Sequence, residues 1–421
     1  MSLTAQATVG YRRLPRRWHY GWWITLGVAV LMFTTVGVGY YGLAVFLRPL
    51  QEENGWSNTV VSGATGLYFT VSGITGFLVG PLVDRHGPRR FLIAGVILVG
   101  LSAIALGSVS TIPGLYAVYL VQAVAFGLAG QVSINSILAR WFVTRRAQAI
   151  SVSATGVSLG GIVLTPLGSW LVGEGGVALA APVLGGLVLA VGLPIVLWVL
   201  VWSPSDVGLT PDLGAPIESA NNEALADEVQ LRVGSRGQAA RTIPFWAILT
   251  AFVVVLMAQT GFVLHQIAFL EDRLGSRESA ALALSTTAFG SVVARLIVGR
   301  FADRLDKVLL SVGLFIVQGL SVLGVLAVSG PVATYGFVLI IGFTIGNVYM
   351  MQTLLVAEIF GLVSLGTVLG VIGLAVQVGS GMGPFAVGWM EEASGGYQLP
   401  FTISAIATLV SAAVIVLARL P

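Results

Sequence analysis

The residue with the clearest capacity for chemistry is Arg295. It is a lone charge inside an apolar run bounded by Glu278 and Arg300, and the residues four before and four after it are Ser291 and Gly299. At helical spacing these three form one polar or small stripe. A guanidinium in lipid costs roughly 2.5–3.5 kcal/mol on insertion scales, so its charge must be offset. No carboxylate shares its helix face. Two readings follow. The planar fork of donors could bind a substrate carboxylate bidentately, with Ser291 beside it. Alternatively the side chain could snorkel toward water near Arg300, about 7.5 Å along a helix.

His265 is the second titratable group at some depth. An imidazole titrates near neutrality and could carry a proton. Glu271 and Asp272 follow within two turns, so His265 could equally face water at its helix end. Tyr41, Asn135, Asn347, Tyr349 and Gln377, with Gln131, Gln259 and Gln352, could line a polar path. Such side chains also act as glue between helices in lipid. Catalysis finds no support. There is no Walker-type phosphate loop and no histidine–carboxylate cluster of the metal-binding kind. The glycine-rich stretches Gly156–Gly161 and Gly379–Gly383 lie inside apolar runs without the strand a nucleotide loop requires. No cofactor, metal or enzyme activity is expected.

These residues must be positioned by membrane helices. Of 421 residues, 56% are hydrophobic and 9% charged, with a mean hydropathy of +0.93. A soluble domain carries about 25% charged residues, so this chain could not cover its surface in water. Spans of about 20 apolar residues fall near 22–47, 58–80, 91–109, 113–138, 148–172 and 178–202. A second set falls near 244–270, 279–299, 308–329, 332–357, 364–389 and 399–419. The expectation is an all-α membrane protein of twelve helices. It has an N-terminal segment 1–21, a six-helix bundle 22–202, a linker 203–243 and a second bundle 244–421. The linker is polar and proline-bearing and reads as a plain connection. The 54 glycines let helices approach closely. With no cysteine, disulfides and thiol chemistry are excluded, while the compartment stays open.

The two bundles read as a duplication. Gly80-Pro-Leu-Val-Asp84-Arg85-His-Gly87-Pro-Arg89-Arg90 is echoed by Gly299-Arg-Phe-Ala-Asp303-Arg304-Leu-Asp-Lys307. Ala139-Arg140-Trp-Phe142 is echoed by Ala357-Glu358-Ile-Phe360, and Pro166 by Pro384, at nearly the same offset. Duplicated six-helix halves are how many transporters are built. Asp84 with Arg85, and Asp303 with Arg304, sit at helix ends. There they could cap or pair in only one conformational state, a gating role, or serve as plain topology signals. Arg140 and Glu358, at equivalent positions, read as a charge pair or gate partners. All of the 21 Lys/Arg except Arg48, Arg273, Arg277 and Arg295 fall on the side of the N-terminus. The positive-inside rule then makes both termini cytoplasmic. The basic Arg12–Arg17 segment could mimic a signal peptide, but the apolar run after it is too long and eleven more spans follow.

The glycine–aspartate–arginine phrase, in two copies, resembles that of the major facilitator superfamily; the second copy lacks the later glycine and arginine pair. A narrower resemblance rests on three places. They are Tyr20-Gly21-Trp22-Trp23; Trp141-Phe142 through Arg145-Arg146 to Gly156, Gly160, Gly161 and Pro166; and Glu358 through Gly361, Gly366 and Gly370 to Gly383-Pro384 and Gly388. Together they are similar to the monocarboxylate transporter and oxalate–formate antiporter branch, over nearly the whole chain outside the linker. The resemblance implies that Val293-Ala294-Arg295 carries the carboxylate-binding arginine. It also exposes departures. Ser291 stands where animal-type carriers have an aspartate implicated in proton coupling, Tyr41 near their first-helix lysine, and Gln377 in an eleventh helix that holds a lysine in the oxalate exchanger. A single cation fits one carboxylate better than two.

The expectation is therefore a secondary carrier of small organic anions, monocarboxylates first. It would work by alternating access, with a midplane site between the halves and proton coupling through His265. The alternatives are an anion exchanger of the oxalate–formate type and a drug or metabolite exporter. The setting expected is a multi-pass protein of the inner or plasma membrane, in a lipid bilayer, working as a monomer without nucleic acid.

Overall fold

A computed structural model describes residues 20–142, 146–209, 240–301 and 305–419. Every regular element among them is helical. In lipid this is the form in which a long apolar run satisfies its own backbone polar groups. The helices are α1 (Tyr20–Asn54), α2 (Asn58–His86), α3 (Arg89–Leu106), α4 (Ile112–Ala129), α5 (Gln131–Trp141) and α6 (Arg146–Leu187). After them come α7 (Ile243–Leu274), α8 (Arg277–Phe301), α9 (Lys307–Ala327), α10 (Pro331–Ser394) and α11 (Gln398–Val414).

Ten helical stretches among the described residues are long and apolar enough to cross a membrane. The expected fifth and sixth spans fall in one stretch, Val152–Val199, which Gly175 and Gly176 break with non-helical backbone. The Glu53 carboxylate accepts from Val177 N at 2.9 Å, so α1 supplies the cap where the helix restarts. The expected eighth span, α8, is not among the ten. The expected fourth span is divided at Gly130, whose backbone is extended; Ser133 Oγ donates to the Leu128 carbonyl at 2.7 Å beside the break.

Helix α10 comprises two apolar arms, Pro331–Phe360 and Gly370–Ser394. Both pack on α7, in opposite directions. Phe360 meets Phe245 near the start of α7, while Gly379, Gly383 and Val387 meet Val253, Met257 and Gly261 in turn. A straight 64-residue helix would be about 96 Å long, about three times the hydrocarbon thickness of a bilayer, so reversal is what its length demands.

Contacts divide the chain into two units, Met1–Trp56 with Val71–Pro216, and Ser57–Thr70 with Ile217–Pro421. The break at Pro216 falls within the expected linker, most of which (210–239) lies outside the described residues. The first turns of α2 group with the second unit, a pairing that the hydropathy pattern does not indicate. In the first unit α1 packs on α6 so closely that a Cβ on Gly156 would collide with the Ala29 carbonyl. In the second, Gly342 of α10 rests on the Thr287 carbonyl of α8 in the same way. The core of the second unit gathers Phe252, Val255, Leu256, Phe315, Met351 and Ile372.

Candidate functional site

Arg295 lies on α8, half-buried, where the first arm of α10 crosses. Its Nε donates to the Gly346 carbonyl at 3.1 Å. The crossing is tight because small residues face each other: a Cβ on Gly346 would stand 2.5 Å from the Ser291 carbonyl and 2.7 Å from its Oγ. The structure thus brings together Ser291, which is buried, Arg295 and the Gly346–Asn347 step. Asn347 is fully buried and donates from Nδ2 to the Phe343 carbonyl at 3.0 Å, while its Oδ1 finds no donor among the described residues. One bond from a fixed carbonyl to Nε orients the guanidinium plane, which is the geometry a planar bidentate ligand requires.

Tyr349 is exposed, at 43%, and Gln377 is half-buried on the second arm of α10. Tyr41, in the first unit, lies in a π-helical turn of α1, Gly37–Tyr41, with its ring against Gly161 and edge-on to Tyr40 at 5.1 Å. Single π turns inside helices recur at functional sites. The side chain of Asn135 lies outside the described residues.

Of the gating candidates, Arg85 is exposed at the end of α2, and the Asp84 side chain, Asp303 and Arg304 lie outside the described residues. Arg140 stacks over the Trp202 ring at 4.4 Å, and the neighbouring Trp141 donates to the Val201 carbonyl at 2.9 Å. Glu358 pairs with Lys307 at 3.0 Å. The two equivalent positions therefore each have a partner inside their own unit.

His265 is wholly buried, not at a wet helix end. Its Nε2 lies 3.1 Å from the Pro384 carbonyl and 3.2 Å from Ser62 Oγ, and its Nδ1 lies 3.2 Å from Tyr397 OH. Glu271, which had suggested a water-facing end, is engaged with Arg277 at 3.5 Å. Sequence reading passed over Asn58, Ser62, Tyr397 and Glu391, all of which join this cluster. A signal was present: Asn58, Ser62, Gly66 and Thr70 recur every fourth residue, a polar or small stripe along the start of α2. Arg273, one of the few cations that the sequence places away from the side of the N-terminus, lies in the last turn of α7. Its guanidinium binds the Val325 and Leu326 carbonyls at 2.6 and 3.2 Å, satisfying the open C-terminus of α9.

Among the described residues no group of His, Cys, Asp and Glu could hold a metal ion.

Long apolar helices, a small number of intramembrane polar positions and charges gathered at helix ends define a multi-pass membrane protein. The Major Facilitator Superfamily model matches residues 24–384, and the chain belongs to that family. It is similar to the oxalate:formate antiporter of Oxalobacter formigenes, 26% identical over 242 residues, 58% of this chain and 53% of that one. It is also similar to the probable anion transporter 4, chloroplastic, of Arabidopsis thaliana, 28% identical over 226 residues, 50% of this chain and 40% of that one. The gentisate transporter of Corynebacterium glutamicum is 31% identical over 176 residues, 40% of this chain and 34% of that one. The chain spans about half the length of the first of these and less of the others. A solved bacterial homologue of the human lysosomal transporter Spinster, inward-facing and unoccupied, superposes with a TM-score of 0.71 at 16% identity, covering 96% of this chain and 98% of that one. At that identity the likeness is one of fold.

Proposed function

We propose that this protein is a secondary active transporter of small organic anions, with monocarboxylates as the favoured cargo and Arg295 as the residue that holds the carboxylate. The observation that carries this reading is the α8–α10 crossing. There Arg295 stands in an apolar helix beside buried Ser291, its guanidinium oriented by the Gly346 carbonyl. Transfer from water to such a site favours a ligand that brings its own charge. The printed functions of the relatives, oxalate:formate, anion and gentisate transport, belong to the same chemical class. In this reading twelve helices cross the inner or plasma membrane, both termini are cytoplasmic, and the protein works as a monomer. Tyr41, Asn135, Asn347, Tyr349 and Gln377 line the route. The Asp84–Arg85, Asp303–Arg304, Arg140 and Glu358 groups gate it, and His265 carries the coupling proton. Exchange of one anion for another is the second reading, favoured by the similarity to an antiporter.

The test is uptake of labelled lactate, pyruvate, acetate, formate and oxalate into proteoliposomes, with and without an inward proton gradient or an internal counter-anion. Saturable uptake that disappears in Arg295→Ala supports the anion site. Stimulation by the gradient selects symport, and stimulation by counter-anion selects exchange. Equal uptake by the variant would remove Arg295 from the site.

A further inference from the structure

Four helices of the second unit wall a small cavity. Gln259 and Phe262 of α7 line it, with Gln318 of α9, Ile341 of α10, and Ser404 and Thr408 of α11. The centre of a water molecule has about 10 Å³ there in which to lie. One ordered water needs roughly 10–15 Å³ and a few polar partners. Among the described residues no charged side chain and no residue of α8 lines the cavity. Two glutamine amides in so small a space must find partners, because a buried polar group left without one is costly.

The two amides fall short in a matching way. Gln259 and Gln318 are buried, at 3% and 2% exposure. Gln259 Oε1 meets no donor among the described residues. Gln318 Oε1 lies 3.3 Å from Thr344 Oγ1, but that hydroxyl has a single proton and a nearer acceptor, the Ile341 carbonyl at 2.7 Å. With the proton on the shorter bond, Gln318 Oε1 also lacks a donor. Turning the Gln318 amide over gives Thr344 Oγ1 a donor but still supplies none to Gln318 Oε1. Thr408 Oγ1 commits its own proton to the Ser404 carbonyl at 2.8 Å, so toward the cavity it offers only an acceptor. The cavity is thus rich in acceptors and calls for a donor.

We propose that this cavity is a hydration site for one ordered water, which donates to Gln259 Oε1 and Gln318 Oε1 and so bridges α7 to α9. Its two protons answer the two amide oxygens, and its own oxygen accepts from the Ser404 hydroxyl of α11. A cation would satisfy the same oxygens. With no counter-charge on the walls, however, burying a charge there costs far more than burying a neutral molecule. The water therefore joins α7, α9 and α11 through polar contacts separate from the α8–α10 crossing. The inference depends neither on the cargo nor on the role of Arg295.

The test is radiolytic labelling of the whole protein in lipid nanodiscs. Hydroxyl radicals made by a brief X-ray pulse oxidise a buried side chain where a bound water lies against it. Phe262, at the cavity, is compared with the equally buried Phe252 and Phe315 of the apolar core. Oxidation is expected to be severalfold greater at Phe262, and to drop to the level of the other two in Gln259→Met. Equal oxidation of all three rings in the wild type would overturn the hydration site, whatever the variant does. So would undiminished Phe262 oxidation in Gln259→Met, which would assign it to bulk water. The same variant keeps the length of the side chain and removes its amide. It is expected to melt several degrees below wild type in detergent, because Gln318 loses its bridge. A higher melting temperature would overturn the proposal, since it marks removal of an amide that had no partner. A wild-type melting temperature that falls when choline replaces sodium, with no such fall in Gln259→Met, would give the site to a cation and overturn the water.

Discussion

At Arg295 the useful distinction is between charge and shape. Nε is engaged by the Gly346 carbonyl, so an orienting bond is part of the site and a lysine could not reproduce it together with the fork. Arg295→Lys is expected to keep transport but raise the KM for a carboxylate roughly tenfold to a hundredfold, the worth of one charge-assisted hydrogen bond. Arg295→Ala is expected to abolish saturable uptake. Initial-rate measurements in proteoliposomes separate the two. Equal KM values for wild type and lysine variant would reduce Arg295 to a point charge. His265 teaches a related lesson at the same scale. A titratable residue near acidic neighbours in sequence reads as wet, but its partners come from Ser62, Pro384 and Tyr397, all distant in the chain.

At the scale of elements, helix crossings in lipid depend on small residues, because apolar side chains gain little by leaving lipid for one another. Gly342 and Gly313 make opposite predictions. A methyl at Gly342 would collide with the Thr287 carbonyl and push α8 from α10, whereas Gly313 on α9 has open space around it. Gly342→Ala is expected to cost about 1–3 kcal/mol as overpacking, and Gly313→Ala to gain up to about 1 kcal/mol through helix propensity. Thermal unfolding in detergent reads both signs. Helix α9 also has a charged end. Asp306 caps it through Leu309 N at 2.8 Å and pairs with Arg419 at 2.6 Å. The Arg419 hydrogen bond, with help from the Leu309 amide, holds the Asp306 carboxyl below the usual carboxylate range. A depressed folded value means stabilisation that is present above the unfolded carboxylate value and lost as pH falls through the folded one. Wild type should therefore melt slightly above Asp306→Asn at neutral pH, with the gap closing in acid. A gap that persists in acid would assign the difference to something other than the ion pair. The group is exposed, so the effect is small.

For the whole molecule, the absence of cysteine makes topology directly testable with single introduced thiols. Asp272→Cys and Ser329→Cys are expected to react with an impermeant maleimide on intact cells. Ser205→Cys and Leu305→Cys are expected to react only after permeabilisation. Reversed labelling would invert the orientation, and labelling of Asp272→Cys and Leu305→Cys from the same side would deny that α8 crosses. That helix is the informative one, since it bears Arg295.

The amino-acid order alone settled the class of protein, because apolar runs of bilayer length with backbone bonds satisfied internally leave helices as the form they can take. It also carried the family, since the glycine–aspartate–arginine phrase is local and repeats, and it singled out Arg295, since a charge in lipid is conspicuous. What it could not supply were pairings between residues remote in sequence. The cap that Glu53 gives α6, the Arg273 seal on α9, the break at Gly130 and the assignment of Ser57–Thr70 to the second unit all depend on which helices meet. Hydropathy records how deep a residue sits along one helix. The burial of His265 and the carbonyl that orients Arg295 were decided by the packing of other helices around them, which only the tertiary structure contains.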